Sequence, residues 1–538
     1  MPHPTLPSRT PSRLEALLPR GRPPRPDLRR RLDALGGPPP APVRRPLALL
    51  GRLAGTGLGA PAAPARAPHR DPLLTLVHRI TQGFERTEYE RARALGYDAY
   101  LEEQLAPESI DDSAMDARLA GYTTLALSPK QLYEAYFADP GEPYFQFKGA
   151  ALLRAVHSRR QLQERMVEFW WDHFCIDHNK GDIEFLFMAD HDRLKVRPHA
   201  LGSFPELLSA VAHSNAMLFY LDNWLNVAGG IQENYSRELL ELHSLGVHGG
   251  YSEVDVKEVA KCFTGWTLNQ DFASPNWFRQ RFEASAHVAG DKLVLGQVIP
   301  ALPPRDNAQA VIDIVAAHPS TAAFLARKLI RWLLTPTPPQ ALVDQVASTY
   351  LATNGDVKAL LRVILARENM RWASPLGAPR VAPRLRRPFH FVVSLLRTLG
   401  ADVADPIYPL FYLYTLGHVP FDHVQPDGYP DTTAAWGSAL LPRWRFASDL
   451  LAPAAVFGEP FPGVHVAHDA VRDKLGFAGP ADRPGLAGRM NEHLFGSTLA
   501  ELEVGVLQDY IDAQPTFGGV QLYESIALGA SLPGFQWY

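Results

Sequence analysis

Residues 231–266, IQENYSRELLELHSLGVHGGYSEVDVKEVAKCFTGW, read as two amphipathic helices joined by a tight, glycine-containing turn. At about 100° per residue, Tyr235, Leu239 and Leu242 share one face, with Leu245 at its edge. Glu238 falls beside Leu242 and Leu245, and His243 on the opposite shoulder beside Leu239. A carboxylate and an imidazole therefore border an apolar surface that has to be buried. Glu233, Arg237 and Glu241 form an i, i+4 ladder, ordinary surface ion pairing of a few tenths of a kcal/mol. In the second helix Ser252 with Asp255 approximates a capping box. Val256, Val259, Ala260 and Phe263 supply its stripe, and Gly265 can close its end.

The rest of the chain extends this helical pattern. Its 538 residues allow more than one domain-sized core, and 46% hydrophobic content marks a globular protein. The net charge of -4, from 53 basic and 57 acidic side chains, gives no global case for nucleic acid as a partner. The 2 cysteines, Cys175 and Cys262, exclude a disulfide-rich scaffold and a cysteine-based zinc knuckle, and leave one bridge open if their helices touch. No run of about 18 apolar residues is present, so no membrane span is expected.

Residues 1–70, rich in Pro, Arg, Gly and Ala, read as a disordered leader. Within it, Arg44-Arg45, a weakly apolar stretch and Ala-Pro-Ala-Arg-Ala at 63–67 fit either a twin-arginine export signal or a plain basic linker. The first places the protein in the periplasm or outside the cell, the second in the cytoplasm. Residues 71–538 read as a helical unit, whole or divided into 71–300 and 301–538. Glu85 to Gly96 holds a helix, Ser128 and Pro129 open another, and 145–174 form a long one with a break near Ser158. Ser203 with Glu206 reads as a capping box, and helices follow over 308–316, after His318, and over 356–366, 388–399 and 442–451. The strand signal lies near 281–296, where Phe282, Ala284 and Ala286 alternate with polar residues. A turn at Ala289-Gly-Asp291 and a return over 292–295 predict one hairpin, too little for a sheet-based core. The fold class is therefore all-α, a multi-helix array with one small hairpin.

Several motifs together resemble the domain-of-unknown-function 1800 family of bacterial proteins. They are ERMVEFWWDHF at 164–174, AMLFYLDN at 216–223, ENYSRELLELHSLG at 233–246 with Gly249-Gly-Tyr251, and Phe263-Thr-Gly-Trp266. His318-Pro-Ser-Thr-Ala, Pro426-Asp-Gly-Tyr-Pro430 before Trp436, and Pro533-Gly-Phe-Gln536 are also similar to the family pattern. The resemblance covers roughly residues 72–538. It implies a bacterial, mainly helical, often exported protein, and it implies no reaction. The chain departs from the family where Trp171 and Asp172 precede His173 in place of a polar pair, and where Val288, not Asp, follows His287. Both departures weaken a metal site built from those places.

No phosphate loop, dinucleotide fingerprint, His-Glu-x-x-His or nucleophile elbow occurs. The candidate catalytic residues are Glu238, His173, His243 and Glu241, since carboxylates and histidines on facing helices can share proton-transfer work. Glu241 and His243, two residues apart, point about 160° from each other, unlike the Glu-x-x-His pairs of di-iron bundles, so no metal is assigned. Candidate binding residues are Arg237, Asn234, the cations Arg327 and Arg331 on one side of their helix with Lys328, and His418 and Asp427 in the aromatic-rich loop 417–436. Two readings follow. One is an enzyme of hydrolysis or proton transfer on an envelope polymer or small organic substrate. The other is a non-catalytic envelope or assembly protein, in which these groups form a buried network worth about 1–3 kcal/mol per group if left unpaired. Cofactor and oligomeric state have no signal in these residues.

Overall fold

The structure, a computed structural model, describes residues 71–301, 303–372, 384–437, 439–452 and 461–538. The leader with Arg44-Arg45 lies outside the described residues. Among those residues there are 25 α-helices and three two-stranded antiparallel sheets, so the all-α expectation holds. No helix among them is long and apolar enough to cross a membrane.

Local signals account for where these helices begin. Ser128 and Ser252 each form a reciprocal capping box, with Gln131 and Asp255 respectively, and Pro319 sits in the first turn behind His318. Six helices frame the site: α1 (Gly141–His157), α2 (Gln161–His173), α3 (Asn234–Glu238), α4 (Glu253–Phe263), α5 (Pro319–Leu333) and α6 (Pro388–Leu399). The break between α1 and α2 falls at Ser158, as the sequence suggests. There Asp112 accepts from the Ser158 hydroxyl at 2.7 Å and the Arg159 N–H at 2.8 Å, diverting backbone that would otherwise continue the helix.

Apolar side chains gather in two clusters. One draws on residues from Leu76 to Met370, the other chiefly on residues from Phe389 to Phe535. Helix α1 serves both, giving Phe147 to the first and Leu152 and Leu153 to the second. Helix α2 is buried on most sides, with Leu162, Met166, Phe169 and Trp170 all enclosed.

Three expectations change in detail. The hairpin becomes two ladders, β1 (Trp266–Leu268) with β2 (Gln280–Phe282) and β3 (Lys292–Val294) with β4 (Gln297–Ile299). Residues Ala284–Ala286 wind into a 3₁₀ turn, in keeping with the poor strand preference of alanine. The β3–β4 reversal runs through Leu295 and Gly296, both at positive φ as a type I′ turn requires. Asp255 of α4 pins this turn by accepting the Leu295 N–H at 2.7 Å. Ser203 forms no side-chain cap; its backbone is instead engaged in a bridge with Asp356. Third, α3 passes directly into a π-helix, Leu239–Ser244. The wider π turn brings residues four apart into line, so Tyr235, Leu239 and His243 point inward while Leu242 turns partly outward. Cys175 and Cys262 are both buried free thiols.

Candidate functional site

At the C-terminal end of α2 the ring of His173 is enclosed by aromatic side chains, among them Phe169, Phe174 and Phe324. Its Nε2 lies 3.0 Å from the backbone carbonyl of His243. A carbonyl only accepts, so Nε2 carries the ring proton and Nδ1 is left as an acceptor. Lys328 of α5 donates to it, its Nζ 2.8 Å from Nδ1. Burial, and after it the positive charge of Lys328, keep His173 neutral, well below the usual histidine range. Burial also pulls the Lys328 amine down to about 8, with Asp172 opposing and the Arg331 charge adding to the effect.

Charged pairs surround this couple. Asp172 receives both terminal nitrogens of Arg387, Nη2 at 2.6 Å. Burial outweighs that pairing and lifts the Asp172 carboxyl to about 6. Asp431 holds Arg384 through both carboxylate oxygens at 2.8 Å, and Arg384 with Arg387 keeps it below the usual carboxylate range against the opposing effect of burial. Arg165, Arg384 and Arg387 all lie over the ring of Trp332, one turn beyond Lys328 on α5, at 4.5, 5.6 and 4.7 Å.

The loop 417–436 closes this assembly. Gly428 adopts φ +81°, and a Cβ there would stand 2.1 Å from the Asp172 carbonyl oxygen, so glycine permits the loop's approach to α2. Asp422 accepts from Lys148 at 2.6 Å and His178 Nδ1 at 2.7 Å, and Tyr220 donates its hydroxyl to Val424. Between the loop, α1 and α2 is a narrow cavity of about 60 Å³ with mostly aromatic and aliphatic walls, reached by Asp172, Cys175 and His423. Burial pushes the Cys175 thiol far up, so it remains protonated.

The residues singled out from the sequence fall into three groups. His173 and His243 come together through the backbone carbonyl of the latter; the His243 ring is buried, with no partner for Nε2 among the described residues. Burial pulls it to about 3, and the Lys328 charge assists. Glu238 is partly buried, its carboxyl raised by burial and then by Glu241, and Asp427 is close enough to add to the shift. No hydrogen bond among the described residues joins Glu238 to either histidine. Glu241 faces Tyr251, whose hydroxyl is 3.4 Å away. The others lie apart. Arg237 is engaged at the surface by Glu253 at 2.7 Å, and Asn234, Arg327 and Arg331 are exposed. His418 is buried, stacked on Trp436 and accepting the Phe389 N–H through Nδ1, while Asp427 is exposed 3.5 Å from His423. No group of three or more His, Cys, Asp or Glu among the described residues is arranged to hold a metal ion.

Asp172, Arg387, Asp431 and Arg384 are absent from the site residues that the sequence suggests, and Lys328 figures there only beside Arg327 and Arg331 as part of a cationic cluster. For Lys328 a signal existed: it stands three residues after Leu325 and four before Trp332, both buried, at the edge of the α5 stripe. Arg327 and Arg331 lie outside that edge.

No curated protein matches the chain, and no solved structure matches it. The family model described as protein of unknown function, DUF1800, matches residues 75–537, nearly all of the described chain and all of the elements that build the Lys328 network; the chain belongs to that family.

Proposed function

We propose that the protein is an enzyme of hydrolysis or proton transfer in which Lys328 is the proton-carrying group. The observation that carries this reading is the Lys328 amine 2.8 Å from a neutral histidine, with an affinity for its proton lowered to about 8. A general base works best when its pKa lies near the operating pH. The free amine takes a proton from a substrate or from a water attacking it, and the resulting ammonium returns that proton to the leaving atom. His173 is a positioning residue, fixing the amine through Nδ1 while its own Nε2–H is spent on the His243 carbonyl. Asp172, held by Arg387, supplies the negative charge that stabilises the ammonium.

A second reading, a non-catalytic envelope or assembly protein, is favoured by the fact that both His173 nitrogens already have partners within the fold. The test is a panel of ester, amide and glycoside substrates with the wild type, Lys328→Met and Lys328→Arg, alongside competitive acylation of surface and buried amines followed by mass spectrometry. The enzyme reading expects turnover lost in both variants and half-maximal Lys328 acylation near pH 8. Turnover that survives Lys328→Met, or an amine that titrates in the ordinary lysine range, overturns it.

A further inference from the structure

A second cavity, of about 430 Å³, has His191 in its wall, whose ring stands 5.0 Å from that of Trp171 in the wall of the first. Its walls come from the helix Phe185–His191, the π-helix Asp192–Val196 that continues it, the start of the helix Asn215–Tyr220, and β2. π turns inside helices are rare and frequently accompany functional sites.

Two adjacent buried residues on this wall each leave a polar atom without a hydrogen-bond partner among the described residues, Asp190 Oδ2 and His191 Nε2. They are 5% and 2% exposed. Asp190 Oδ1 receives Arg193 at 2.6 Å, whereas the nearest cation to Oδ2, Arg279 Nη2, is 3.8 Å away, beyond hydrogen-bond reach. His191 Nδ1 lies 2.9 Å from the Ser214 hydroxyl, and that oxygen already accepts the Met217 N–H as an N-cap. Ser214 Oγ keeps a second lone pair and its own proton, so it pairs with Nδ1 in either tautomer, and Nε2 faces the cavity as the donor of one tautomer or the acceptor of the other. Burial keeps this ring neutral, down to about 3. One buried carboxylate oxygen and one buried ring nitrogen thus stand side by side without a hydrogen-bond partner among the described residues, the arrangement expected of groups that meet a ligand.

The charge of the wall points the same way. Lys195, Arg279 and Arg281 line the cavity, Arg281 shared with Glu283 at 3.1 Å, and the lining carboxylate is that of Asp190, in a chain whose net charge is -4. Lys195 has no hydrogen bond or ion pair among the described residues. Side-chain amides of Asn269, Asn276 and Gln280 supply donors and acceptors around the rest. A volume of this size is in the range of small-ligand sites.

We propose that this cavity binds a polyhydroxylated organic anion, a sugar acid or a sugar phosphate. The anionic group is received by Lys195, Arg279 and Arg281, and neighbouring hydroxyls, which both donate and accept, pair with Asp190 Oδ2 and His191 Nε2. None of these residues belongs to the Lys328 network, so the inference stands or falls separately from the proton-transfer reading.

The test is calorimetric titration of the full chain with D-glucuronate, D-glucose 6-phosphate, D-glucose and inorganic phosphate, each to about 10 mM. At least one anionic sugar is expected to bind, with glucose and phosphate weaker by at least about tenfold. A preference for glucuronate identifies a carboxylate ligand, and a preference for the phosphate ester identifies a phosphorylated one. The double variant Lys195→Gln, Arg279→Gln, which alters only partly exposed side chains, is expected to weaken binding by at least about tenfold, and Lys328→Met to leave it unchanged. Absence of binding by both anionic sugars, equal binding of glucose or phosphate alone, or undiminished binding by the double variant overturns the proposal.

Discussion

Replacing Lys328 by methionine removes a charge from a place where the protein holds it at a cost, and the size of that cost can be followed with pH. The amine releases its proton near pH 8 in the folded chain and near 10.5 when unfolded. Between those values the unfolded chain binds more protons, so wild-type stability rises with pH through this window. Integrated from pH 7 to pH 9, the Lys328 contribution amounts to roughly 1.4 kcal/mol in favour of the wild type. The methionine variant also strands His173 Nδ1 as a buried acceptor, worth about 1–3 kcal/mol. That offset is the same at pH 7 and pH 9, because His173 titrates far below both. The difference between urea midpoints of wild type and variant, multiplied by their common slope, should therefore move by about 1.4 kcal/mol over those two pH units whatever its value at pH 7. A difference that stays constant within about 0.3 kcal/mol would refute the claim that burial has depressed this amine, and the proton-transfer role with it.

Other perturbations probe the surroundings. Asp172→Asn leaves the largely buried Arg387 short of its carboxylate and should cost about 3 kcal/mol by urea denaturation; a loss below about 1 kcal/mol would mean the pair is effectively solvated. Gly428→Ala forces a Cβ toward the Asp172 carbonyl at a positive φ, at a cost of at least about 2 kcal/mol, and should expose the loop 417–436 to limited proteolysis; an unchanged cleavage pattern counts against the packed loop. His243 is pulled to about 3 from an ordinary 6.5, so the unfolded chain binds more protons between those values and stability falls as the pH drops through them. His243→Leu keeps the backbone carbonyl that receives His173 and should spare the variant about 2 kcal/mol of the loss seen by the wild type at pH 5. Equal acid sensitivity of the two proteins would show that the ring is solvated.

Much of this architecture was legible before any coordinates. The helix starts at Ser128, Ser252 and Pro319, the break near Ser158 and the buried stripe of α4 are written in spacings of three to seven residues, and they appear where those spacings put them. The π-helix after α3 was not legible. Nothing in Leu239 to Ser244 departs from a normal helical composition, yet the wider turn exchanges Leu242 for His243 on the inner face. The strand pairing likewise escaped, because Asp255 of α4 holds the turn at Leu295 from 40 residues away.

By itself the sequence determined that this is a helical member of its family, where its helices start and stop, and that histidines and carboxylates border buried faces. Those properties follow from contacts within one or two turns, where periodicity and capping act. Only the tertiary structure decided that Lys328, rather than Arg327 or Arg331, reaches His173 across 155 residues of sequence, and that Asp172 is paired with Arg387 from 215 residues away. Desolvation and the choice of a charged partner depend on which distant segments pack together, and no local pattern of residues encodes that.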